Sequence, residues 1–74
     1  MITESKHYLT SDDALVIRTA LLKRNMTITQ MSIHAGLTRQ SIYAILAGKH
    51  SISPKFRDVV LAYLPAAADK IGLK

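Results

Sequence analysis

The chain has 74 residues, 49% apolar and 20% charged, a balance that fits one domain with a small packed core and argues against disorder. It has no cysteine, which excludes a disulfide scaffold and a thiolate zinc site. Ten Lys and Arg against five Asp and Glu give a net charge of +5, and the longest nearly apolar run, Val59–Ala68, contains Pro65 and is about half the length that spans a bilayer.

The first nine residues are expected to be a flexible leader or arm. Lys6 and His7 are candidates for a backbone or minor-groove contact, and Tyr8 and Leu9 for a partial anchor. The stretch has no apolar h-region, so no secretory signal is expected and the protein is placed in the cytoplasm. The first helix starts near Thr10 or Ser11, with Asp12 and Asp13 in the turn where carboxylates favour the helix dipole. Ala14, Ile17, Ala20 and Leu21 form its inward stripe. Lys23 and Arg24 stand in its last turn, and Asn25 is a left-handed cap.

The second helix opens on a capping box, Thr27 to Gln30. Ile28, Met31 and Ala35 repeat on one face, and Gly36 ends the helix with a positive φ. Thr38 caps a third helix over Arg39–Ala47, with Ile42, Ile45 and Leu46 inward and Gly48 after it. Ser53 caps a fourth helix, with Pro54 in its first position. Phe56, Val59, Val60, Tyr63 and Leu64 form that helix's apolar face. Pro65 ends or kinks it, and a short fifth helix runs to Gly72. The fold class is therefore all-α, a bundle of four to five short helices. Weak β-branched alternation agrees with this.

The five acids leave none between Ala14 and Arg57, a stretch that holds Arg18, Lys23, Arg24, Arg39, Lys49, Lys55 and Arg57. A basic, acid-free middle suits a polyanion, because each neutralised phosphate releases counterions. A solvated basic surface explains the charge alone equally well. Two short helices around a tight Gly turn form a helix-turn-helix unit, which presents the start of its second helix to a major groove. Gly36, Ser32 and Ala35 are small where the helices cross, and Leu37 is apolar just after the turn.

From "MTITQMSIHAGLTRQSIYAILAGK", Met26 to Lys49, the chain resembles the lambda-repressor/Cro-like (XRE-type) helix-turn-helix family. The resemblance extends over about residues 10–64. It implies a DNA-binding domain there, with 65–74 as a C-terminal segment and possible dimerisation element. Three departures stand out. Ile28 occupies a position where many members carry a phosphate-contacting Gln. Ser32 replaces the usual Ala. Leu21 and Leu46 stand where many members pair Arg with Glu, a swap that spares the desolvation of two charges, and the two leucines are expected to touch.

Arg39 and Gln40 match family positions that commonly contact DNA. Arg suits guanine and Gln suits adenine. Ser41, Tyr43 and Ala44 complete the expected base-reading set, Ala44 against a thymine methyl. Tyr43 has cover of the core or of a dimer surface as its alternative. Thr27, Thr29, Thr38, Lys49, His50, Ser51 and Lys55 are the phosphate candidates, while Arg18, Lys23 and Arg24 are read as solubilising. Leu61, Leu64, Ala67, Ile71 and Leu73 are assigned to a dimer contact. Their alternative is that the C-terminal segment folds back onto Leu15 and Leu22.

The scattered His and acids offer neither a metal set nor a catalytic pair. No enzyme, cofactor, metal, membrane or small-molecule effector is expected. The expectation is a dimeric transcriptional regulator, a repressor on a near-palindromic operator in double-stranded DNA, from a phage, plasmid or other mobile element. The alternative is a protein-interaction module, an antitoxin or adaptor, on the same helical fold.

Overall fold

Four hydroxyls set the frame. In the computed structural model, which describes residues 7–73, Thr10, Thr27, Thr38 and Ser53 each accept the backbone N–H three residues on, at 3.1, 3.0, 3.1 and 3.2 Å. Each satisfies a donor that a helix start otherwise leaves open. The helices that follow are α1 (Ser11–Lys23), α2 (Ile28–Ala35), α3 (Arg39–Leu46) and α4 (Pro54–Tyr63), with α5 (Pro65–Lys70) after them. No strand occurs among the described residues. At α2 the box is reciprocal, since the Thr27 N–H donates to Gln30 Oε1 at 2.9 Å. At α1 Asp13 plays the Gln30 part, its carboxylate accepting the Thr10 N–H at 3.3 Å. α5 has no side-chain cap. Pro65 starts it without an N–H to satisfy.

The core is built where the first four helices meet. Ile17, Met31, Ile42, Ile45, Phe56 and Val60 are its largest fully enclosed side chains. Ala14, Leu21, Ala35, Leu46 and Val59 extend it, and Ala20, Ile28 and Tyr63 pack partly against it. Leu21 and Leu46 are both buried in this one cluster. α2 packs on α3 and α4, and α5 packs on α1 and α4.

Two expectations change here. Leu64, Ala67, Ile71 and Leu73 are buried within the single chain, so they are core and not a surface offered to a second copy. α5 is too short and too thinly apolar to stand alone, and closing it over α1 and α4 removes these side chains from water. Leu61 is only partly buried. The fold-back also misses Leu15 and Leu22, which stay 62% and 77% exposed.

The leader is the second, and it changes only in part, since the anchor expected of Leu9 is present. Lys6 and the residues before it lie outside the described residues, but residues 7–9 belong to the body. Leu9 is buried, and the Ile52 N–H donates to the His7 carbonyl at 2.8 Å. Tyr8 remains about half exposed.

Candidate nucleic-acid interface

The turn between α2 and α3 is Gly36-Leu37-Thr38. Gly36 has φ +69° and ψ 32°, a conformation that a Cβ disfavours. The reversal lets the Gly36 N–H reach the Ile33 carbonyl at 3.2 Å and the Leu37 N–H the Ser32 carbonyl at 3.0 Å, so the end of α2 satisfies its own carbonyls. Ser32 is buried, and its Oγ donates to the Thr29 carbonyl at 2.7 Å, which removes the cost of an unpaired hydroxyl. Leu37 is half buried and packs against the core.

α3 divides cleanly. Ile42, Ile45 and Leu46 are buried, while Arg39, Gln40 and Tyr43 are exposed and Ser41 and Ala44 intermediate. The three buried residues fix the rotation of the helix and thereby present the other side outward. Thr38 Oγ1 also donates to Ser41 Oγ at 3.0 Å. Its proton is thus engaged locally, and the Ser41 hydroxyl keeps its own to donate outward. At the start of α2, Thr27 Oγ1 accepts from the Gln30 N–H, and both Thr27 and Thr29 are exposed.

The basic residues fall into separate groups. Lys49 and His50 are exposed and Ser51 half exposed after the C-terminal end of α3. The Ser51 carbonyl accepts from His50 Nδ1 at 2.9 Å, which fixes the ring. Lys55 does not join them. It lines a groove with Ile33, His34, Gly36 and Tyr63, beside the turn that leads into α3. Asp58 lines the same groove. Arg57 is engaged with the C-terminal segment, its Nε donating to the Leu73 carbonyl at 3.3 Å.

Two arrangements escaped the sequence reading. Arg18, read as solubilising, lines a groove with Thr27 and Ile28 and so stands beside the start of α2. Its place on the outer line of α1 is readable from spacing, but the element that comes to meet it is not. His34 and Tyr63 pair across α2 and α4, with ring centroids 4.7 Å apart and Tyr63 Oη 3.4 Å from His34 Nδ1. The pair braces the back of α2. No group of three or more His, Asp or Glu among the described residues has the arrangement of a metal site. No helix among them is long and apolar enough to cross a membrane.

A scan against protein-family models found no match, and neither did searches of curated proteins and of solved structures.

Proposed function

We propose that this chain is a sequence-specific regulator that binds double-stranded DNA, with the outward edge of α3 reading bases. The observation that carries the reading is the split of α3, which holds Arg39, Gln40 and Tyr43 to solvent on a rigidly seated helix. Arg39 and Gln40 are the donors and acceptors suited to guanine and adenine edges. The starts of α2 and α3 favour phosphate, and Thr27, Ser41, Arg18 and Lys49 offer further donors. The acid-free stretch from Ala14 to Arg57 favours the approach of a polyanion. Occupying a promoter as a paired molecule is the simplest mode of action, and it makes the chain a repressor.

Anisotropy of a labelled random duplex in a salt titration tests this. The proposal expects weak binding, with log affinity falling linearly against log salt by about 0.9 per phosphate neutralised. A chain that ignores duplex at low salt is an interaction module instead.

A further inference from the structure

The dimer surface assigned from sequence is buried in the subunit, and another face stands in its place. Leu15 and Leu22 are exposed on α1 at 62% and 77%. They are seven residues apart, with exposed Thr19 between them, so the three form one ridge along the helix. Beside the ridge runs a groove between α1 and α5, lined by Leu15, Val16, Thr19, Ala20 and Lys23 from one helix and Ala66, Ala67 and Lys70 from the other. It continues past Lys23 and Arg24 to Pro65. Alanines on the α5 wall leave room for a second helix.

We propose that this face docks on its own copy, with α1 lying antiparallel to α1 and the Leu15–Leu22 ridge of each subunit over the groove of the other. This deepens the pairing in the proposed function and rests on that part alone, since α3 contributes nothing to the face. Charge selects the occupant. Asp12 stands exposed at one end of α1, and Lys23 and Arg24 are exposed at the other. A two-fold interface brings each residue against its counterpart in reverse order. Asp12 of each copy thereby meets the Lys23–Arg24 end of the other. A parallel arrangement sets like charges together at both ends. Ridge into groove is the packing that helices favour, and antiparallel dipoles add to it. On the other flank of the ridge, Arg18 and Thr27 line a groove together with Leu15, Thr19 and Leu22.

Sedimentation equilibrium on the full chain tests the docking. The wild-type mass is expected to rise with concentration from 8.2 kDa towards twice that value. Leu15→Lys weakens pairing by about tenfold or more and leaves the circular dichroism unchanged, as the side chain is exposed. Asp12→Lys and Lys23→Glu each weaken it, and a mixture of the two restores it. The absence of cysteine supplies a clean second readout. Thr19→Cys crosslinks to itself under mild oxidation, while Ile33→Cys, exposed on α2, does not. A mass constant at 8.2 kDa, pairing that ignores Leu15→Lys, or a mixture that fails to recover overturns the proposal. A foreign acidic helix bound in the groove of a monomeric chain overturns it too. Duplex binding measured on the same samples separates the two claims: paired protein that ignores DNA contradicts the regulator and leaves the docking intact.

Discussion

The two ends of α3 are closed by the same device and held in opposite ways. Before the helix, Gly36 turns with φ +69°, and a Cβ built on it meets nothing within 4 Å. After it, Gly48 turns with φ +75°, and a Cβ there falls 2.9 Å from the Leu9 carbonyl oxygen. The first turn is secured by bonds within α2 and the Thr38 cap, and it leaves its surroundings open. The second is pressed against the N-terminal segment, which also takes the Ile52 N–H on the His7 carbonyl. The difference assigns the clear end to the turn beside Arg39 and the fixed end to the loop after Gly48.

Substitutions sharpen that contrast. Gly48→Val has the largest expected effect on stability, about 2–5 kcal/mol, because φ strain and a backbone clash act together. Gly36→Val carries the strain alone, about 1–2 kcal/mol. For a domain of this size each kcal/mol moves Tm by about 4–8 °C, so thermal melts resolve the pair. Equal losses at the two glycines break the comparison. Thr27→Ala, which removes a reciprocal cap, costs about 1 kcal/mol by denaturant titration, and Thr27→Ser restores most of it. Arg39→Ala is expected to leave stability within about 0.5 kcal/mol of wild type, as an exposed side chain with no hydrogen-bond partner among the described residues. A larger loss gives Arg39 a part in the fold and removes it from the reading edge.

The same contrast marks what was legible in the sequence. The Thr27–Gln30 box, the Gly36 turn, the Ser53-Pro54 start and the inward face of α3 are local. Each is settled by residues three or four apart, so spacing reveals them. The Thr10–Asp13 box is local as well, but Asp13 was weighed only for its charge. Distant contacts were not legible. Nothing near Leu9 says that its carbonyl approaches Gly48, and nothing near Arg18 says that α2 begins beside it. The C-terminal segment shows the limit most clearly. Its apolar residues announce burial, but whether Leu64, Ala67, Ile71 and Leu73 bury against their own subunit or another depends on where Pro65 turns the chain. The outward placement of Arg39 and Gln40 was legible because the burial of Ile42, Ile45 and Leu46 leaves no other.

The central claim is that the open edge of α3 distinguishes one base sequence from another. Its most direct test is the affinity of wild type and Arg39→Ala, measured side by side at one salt concentration on a duplex chosen by random-site selection and on random duplex. The account predicts a loss of about 1–3 kcal/mol on the selected site with a much smaller loss on random DNA. Equal losses on both, or a selection that yields no preferred site, would contradict it.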